Sequence, residues 1–369
     1  MSDIRVLHLI NGEHYAGAER VQDLLAEWLR NEGIEVGFAC LKPGRFDSAR
    51  RSQSVPLWNV PMRSRWDWSV VSRIVDLIRT ERFQLVHTHT TRGALVGSAA
   101  ARRAATPLVH HFHSPTARDT EHRWRNWLNS VIERRALRDA ARLFAVSSSI
   151  AAWLRETGYD SRRITVVPNG VPSLDQLPPR SSPTGRWTLG ALGLWRPRKG
   201  LETLLDAVAR LRNASTVADV ALRVVGPWET PEYERQIRDQ VARLELADLV
   251  EFRGFTTDTT KELLQFHSLV LPSLYGEGLP MVVLEAMAHG VPVVASRCEG
   301  MSDVIRHDVD GLLVEPGDAD DLARQLARLI RSDVDPDSLR YSAWRRQCAE
   351  FSAMRVARDV AAAYRSILG

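Results

Sequence analysis

Two glutamates with seven residues between them, Glu277 and Glu285, stand out in the segment Ser273–Ser296, SLYGEGLPMVVLEAMAHGVPVVAS. Gly276 and Gly278 flank the first in a loop. The second lies inside a helix expected from Pro280 to Gly290, with proline at the first turn and glycine past the last. Eight helical residues rise about 12 Å. One carboxylate therefore stands at the mouth of the helix and the other about two turns down. The backbone N–H groups within Leu279–Val282, Pro280 having none, lie between them, where a helix N-terminus favours an anion. Hydroxyl acceptors at both ends and a diphosphate site in the middle match the layout of a nucleotide sugar. The run VVLEAMA and the apolar strand Val291–Ala295 that follows predict burial of Glu285, and a buried carboxylate needs a partner.

Other residues invite the same chemistry. Arg196-Pro-Arg-Lys-Gly200 opens a helix in the second half of the chain. Arg196, Arg198 and Lys199 would oppose the helix dipole there unless an anion sits among them. The loop Asn11–Arg20, NGEHYAGAER, joins a strand to a helix and carries Gly17; such loops bring backbone N–H groups near phosphate. It lacks G-x-G-x-x-G, which disfavours a nicotinamide dehydrogenase, and the chain has no P-loop and no Asp-x-Asp in a suitable loop. His110-His111-Phe112-His113 closes an apolar strand. Side chains alternate faces, so His111 and His113 share one and His110 takes the other. Two ligands from one strand are too few for a structural zinc site, so no metal is expected. His87 and His89 form a similar pair.

The two-glutamate segment resembles the signature of retaining glycosyltransferases of the GT-B fold, glycosyltransferase family 4, and weaker signatures follow in order over nearly the whole chain. The resemblance implies that Glu277 contacts donor sugar hydroxyls near the reacting carbon and that Glu285 accepts hydrogen bonds from the ribose. Gly278, Leu279 and Pro280 become the donor-facing turn. The Asn11–Arg20 loop is similar to the family's GGAER-like loop, with Ala16 replacing the first glycine and Gly17 facing phosphate. His113 matches the histidine near donor sugar and acceptor. Lys199 matches the lysine that clamps the diphosphate. The family arginine, five residues earlier in a "GR" pair, is Leu194 here, leaving Arg196 or Arg198 to substitute. Val225-Gly226-Pro227 and Arg253-Gly-Phe255 match places where the nucleotide approaches Gly226 and the base lies near Phe255. The implied activity is a retaining, metal-independent transfer of a sugar from a nucleoside diphosphate donor, UDP before GDP, to a glycan or lipid-linked acceptor. A nucleotide-sugar epimerase and a catalytically silent nucleotide-sugar binder are the alternatives; the paired glutamates argue against the first.

The elements that must position these residues alternate. Strands expected at Ile4–Ile10, Val36–Leu41, Leu85–His89, Leu108–Phe112, Leu143–Val146 and Ile164–Val167 are separated by helical patterns, the mark of a parallel, doubly wound α/β sheet. Val171–Gly185, with four prolines, reads as a linker. The pattern then restarts, giving two Rossmann-like domains, 1–171 and 172–351, that face each other across a cleft. The tail from Pro336 is expected to be helical throughout, and the resemblance implies that its last part, about 352–369, packs back on the first domain. No apolar run approaches the ~20 residues of a membrane span. The N-terminus has no basic leader, and Cys40, Cys298 and Cys348 lack ligand spacing. A cytoplasmic protein with no cofactor is expected. The basic, aromatic stretches His122–Arg142 and Arg63–Trp68 suit contact with an anionic inner membrane face. Interspersed acidic residues disfavour nucleic acid.

Overall fold

The computed structural model describes residues 4–13, 15, 17–64, 67–114, 123–180, 183, 185–213 and 219–369. The chain divides into two compact units, Met1–Gly170 with Ser352–Gly369, and Val171–Phe351. Each is built on a parallel sheet.

In the first unit the strands are β1 (Ile4–Ile10), β2 (Ile34–Cys40), β3 (Leu57–Asn59), β4 (Leu85–Thr88), β5 (Leu108–Phe112), β6 (Arg142–Ala145) and β7 (Ile164–Val166). They lie in the order β3-β2-β1-β4-β5-β6-β7. The central strands are buried on both faces, hence their near-continuous apolar sequences. One face carries Val6, Phe38, Phe144 and the helix Ala353–Leu368, whose Val356, Val360 and Tyr364 complete that core beside Leu25 and Ala26 of the helix Gly17–Leu29.

In the second unit β8 (Trp187–Leu192), β9 (Val220–Val225), β10 (Val250–Gly254), β11 (Ser268–Leu271), β12 (Val293–Ser296) and β13 (Leu312–Val314) are ordered β10-β9-β8-β11-β12-β13. The strand order reverses between β1 and β4 in one sheet and between β8 and β11 in the other. Ligands of open α/β sheets bind outside the carboxyl ends of strands at such switch points.

Two expectations change, and one is refined. The tail is helical as expected, in two pieces: Pro336–Glu350 ends at Phe351, and the Ser352 hydroxyl, accepting from the Arg355 N–H at 3.3 Å, caps the final helix Ala353–Leu368. The proline-rich stretch starting at Val171 is docked rather than slack. Gln347 Nε2 donates to the Val171 carbonyl at 3.0 Å and Trp344 Nε1 to that of Leu174 at 3.2 Å. Short elements such as β3 and β13 were not expected, because three residues carry too little pattern to read.

Gly226 shows how the strand ends of the second unit are shaped. Its φ is +125°, and a Cβ there would lie 1.8 Å from the Gly193 carbonyl oxygen. The loops after β8 and β9 therefore touch backbone to backbone. Gly226→Ala combines a disfavoured φ with an overlap, each costing about 1–3 kcal/mol, and urea unfolding should show a loss of about 2–5 kcal/mol. Unchanged stability would contradict this packing.

Candidate active site

The loops flanking the second unit's switch point carry the candidate residues Arg196, Arg198, Lys199 and Glu277. After β8 the chain runs through a short 3-10 turn, Pro197–Lys199, and only then enters the helix Leu201–Asn213. The basic residues thus precede that helix instead of forming its first turn. Gly200, at φ +65°, permits the turn; a Cβ there would lie 2.2 Å from the Pro272 carbonyl oxygen. The Leu274 N–H donates to the Arg198 carbonyl at 2.8 Å. The loop after β8 is so laced to the loop after β11 that Lys199 reaches Glu277.

Glu277 is buried, its side chain 8% exposed, and its Oε1 forms an ion pair with Lys199 Nζ, itself 15% exposed. The Ser273 hydroxyl donates to the same oxygen at 2.7 Å. Burial pushes the Glu277 carboxyl up, but the Lys199 charge and hydrogen bond, Ser273 and the Arg198 charge outweigh it and hold the group below its ordinary 4.5. Glu277 is therefore an ionised acceptor at neutral pH and is unsuited to donate a proton. Arg198 Nη1 donates to the Gly276 carbonyl at 2.7 Å. Gly276 itself has φ +80°, and a Cβ on it would strike that guanidinium at 2.3 Å.

Glu285 lies on the helix Met281–Ala288, every residue of which is buried. Gly278 and Leu279 are buried and Pro280 half-buried at its N-terminus. Two N–H groups of the preceding loop already have a carboxylate: Glu299 Oε2 accepts from Gly276 at 2.8 Å and from Glu277 at 3.3 Å. The Val283 N–H donates to the Pro280 carbonyl at 3.2 Å, so the helix's own bonding begins just past the expected anion site at Leu279–Val282.

In the first unit, the reversal between β1 and β4 gathers histidines. His8 on β1 pairs in register with His87 on β4, and β4 with β5 in a register that sets His89 opposite His111. His113 follows on the same face. Burial lowers His8 to about 3 and His113 to about 4 from an ordinary 6.5. His110 faces the other way and contacts Thr88 Oγ1 at 2.8 Å. Gly17 opens the helix Gly17–Leu29, and among the described residues nothing lies within 4 Å of where its Cβ would be.

Residues 186–332 match the family described as glycosyl transferases group 1, and residues 15–173 match glycosyltransferase family 4. The phosphatidyl-myo-inositol mannosyltransferase of Mycobacterium leprae is 31% identical over 331 residues, covering 84% of this chain and 82% of that protein. This chain belongs to the family 4, group 1 glycosyltransferases. The Escherichia coli UDP-Gal:alpha-D-GlcNAc-diphosphoundecaprenol alpha-1,3-galactosyltransferase is 25% identical over 354 residues, 90% of this chain and 89% of that one. In fold, the glycosyltransferase is similar to Anabaena HepE solved with UDP (TM-score 0.84, 20% identity, 98% and 100% covered) and to sucrose-phosphate synthase of Thermosynechococcus elongatus (TM-score 0.80, 22% identity, 99% of both chains covered). The architecture is GT-B.

Of the residues expected to act in this glycosyltransferase, the structure assembles Glu277, Lys199 and Arg198. It draws Arg196 away: its Nη1 lies 3.3 Å from Glu229 Oε1. Gly226 is required by the backbone contact with Gly193, and Phe255, at the edge of the sheet, is 59% exposed. Ala16, Arg65, Trp66, His122 and the side chains of Trp124 and Trp127 lie outside the described residues. Sequence reasoning missed Ser273 and Glu299, whose roles come from folding back across the loop, and the convergence of histidines from three strands, because ligands were counted one strand at a time.

Removing the ammonium tests the cluster. Lys199→Ala leaves a buried carboxylate, and breaking such a pair costs about 3–5 kcal/mol. In the wild type the folded-state carboxyl lies below its unfolded value, so its contribution is present above about 4.5 and lost as pH falls through the folded value. In the variant, burial without the ammonium raises the carboxyl instead, so the penalty is present at neutral pH and relieved on acidification. Urea unfolding should show a larger gap between the two proteins at pH 7 than near pH 4.5. An equal gap at both would mean that Glu277 carries no charge dependent on Lys199.

Proposed function

We propose that this glycosyltransferase retains anomeric configuration, needs no metal for transfer, and moves a sugar from a nucleoside diphosphate donor, UDP in preference to GDP, to a glycan or lipid-linked acceptor. The observation that carries this reading is the buried Lys199–Glu277–Ser273 cluster with Arg198 alongside. The diphosphate leaves with negative charge. Lys199 and Arg198 supply preorganised positive charge for it, the part a divalent cation plays elsewhere. Lys199 exchanges some of its contact with Glu277 for phosphate oxygen, while Arg198 provides a planar fork that a lysine lacks. Glu277, held ionised, accepts hydrogen bonds from donor sugar hydroxyls and fixes the ring. Its oxygens are committed as acceptors, so the proton of the acceptor hydroxyl passes to the leaving phosphate and no side-chain base is assigned. Glu285 accepts from the ribose diol.

Donor and acceptor classes draw support from relatives. HepE was solved with UDP-glucose, and the E. coli relative is named for UDP-galactose and a diphosphoundecaprenol acceptor. The expected result is selective thermal stabilisation by UDP and UDP-sugars, with UDP release when acceptor lipid is supplied. Glu285→Gln removes charge-assisted hydrogen bonds worth about 1.5–3 kcal/mol and should weaken UDP roughly ten- to hundredfold. Stabilisation by no nucleotide, or undiminished UDP affinity in the variant, would defeat the assignment.

A lipid-linked acceptor requires approach to a membrane. Among the described residues no helix is long and apolar enough to cross one. Trp68 is 54% exposed and Leu128 42% exposed, in the two basic stretches. Peripheral contact with an anionic inner face follows as part of the proposal. The protein should sediment with phosphatidylglycerol vesicles at low salt and be released at high salt; no sedimentation at low salt would remove this part.

A further inference from the structure

The histidine face of the first unit is larger than a single contact to substrate requires. The metal-ligating atoms of His89, His111 and His113 all lie within 4.8 Å of one another. We propose that these three side chains form a site for a zinc-class divalent metal ion, with a fourth position open beside half-buried His113. The proposal rests on the first unit alone and is independent of the transfer mechanism above.

Three observations support it. The closest pair, His89 Nδ1 and His113 Nε2, is 3.2 Å apart. Zinc–nitrogen bonds of 2.0–2.1 Å at tetrahedral angles put ligand nitrogens roughly 3.3 Å apart. The His111 ligand atom lies within 4.8 Å of both, and small side-chain adjustments within the cluster bring the three to a common ion.

Second, the tautomer of His111 is set. Its Nε2 lies 3.2 Å from the Val167 carbonyl oxygen and must donate to it. The buried Nδ1 then carries a lone pair, and it has no hydrogen-bond partner among the described residues. A ligating histidine whose other N–H is bound to a backbone carbonyl is the usual outer-shell arrangement of metal sites.

Third, a relay behind His89 orients it. Tyr364 Oη is 2.6 Å from His87 Nδ1 and 3.3 Å from His8 Nε2. These distances allow two proton directions; in the one that suits a metal, Tyr364 donates to His87 and its oxygen accepts from His8. His8 Nδ1 then accepts from His89 Nε2–H across 3.2 Å, which aims the His89 Nδ1 lone pair at His113. Metal binding asks only that His113 carry its proton on Nδ1, so three neutral imidazoles become ligands with no net proton release.

His110 is excluded, since it points to the opposite face of the sheet.

The test uses tag-free full chain stripped of metal with chelator and then freed of it. Titration with Co2+ should load a single ion per chain with the strong visible absorption of tetrahedral coordination, displaced by Zn2+. His113→Gln, at the half-buried ligand, should bind at least about tenfold more weakly while keeping its far-UV circular dichroism. Zn2+ should also raise the Tm of the wild type and leave that of the variant unmoved; this readout holds if the variant loses some stability. Absence of Co2+ uptake, the weak spectrum of octahedral surface binding, or undiminished uptake by His113→Gln would each overturn the site. None of these outcomes bears on UDP binding, which is measured separately.

Discussion

A carboxylate almost out of water cannot stay ionised unless something stands beside it, and in this glycosyltransferase that something is Lys199. Much of the second unit's local geometry serves this pairing. Gly200 takes a left-handed turn so that the loop after β8 lies against Pro272. Arg198 braces the Gly276 carbonyl, and Glu299 ties down the adjoining N–H groups. Ser273 occupies a further acceptor position on Glu277. The cluster is thus preorganised as a set of opposed charges, which the proposed function assigns to a sugar's hydroxyls and to a diphosphate.

The two units arrive at comparable solutions with different side chains. In each, parallel strands reverse order at one point, and the ends of the strands there are crowded with polar groups that the rest of the sheet excludes. The second unit fills its switch point with charge balanced by charge. The first fills its own with neutral imidazoles, kept neutral by burial under the helix Ala353–Leu368. Both are ways of placing hydrogen-bonding capacity inside an apolar layer: ion pairing in one case, tautomeric matching through Tyr364 in the other.

The alternation of apolar runs and helical patterns made the strand order's raw material legible, since buried parallel strands such as Val293–Ser296 are continuous apolar words. Glu277 and Glu285 were legible because charged residues among such words are out of place. Arg196 against Arg198 was not, because the choice depends on a 3-10 turn that points adjacent side chains to different loops. Glu299 was hidden for a similar reason: its contacts run 22 and 23 residues back along the chain. The histidine cluster escaped because spacing within a strand shows pairs, whereas register across β1, β4 and β5 shows five side chains on one face.

The helix Ala353–Leu368 has a consequence for the order of events at the ribosome. It belongs to the first unit, yet all of Val171–Phe351 is synthesised before it. Until it emerges, Tyr364, Val356 and Val360 are missing from a core that includes Phe38 and Phe144. The unit that is made first therefore completes its core only with a helix made after the whole of the second unit.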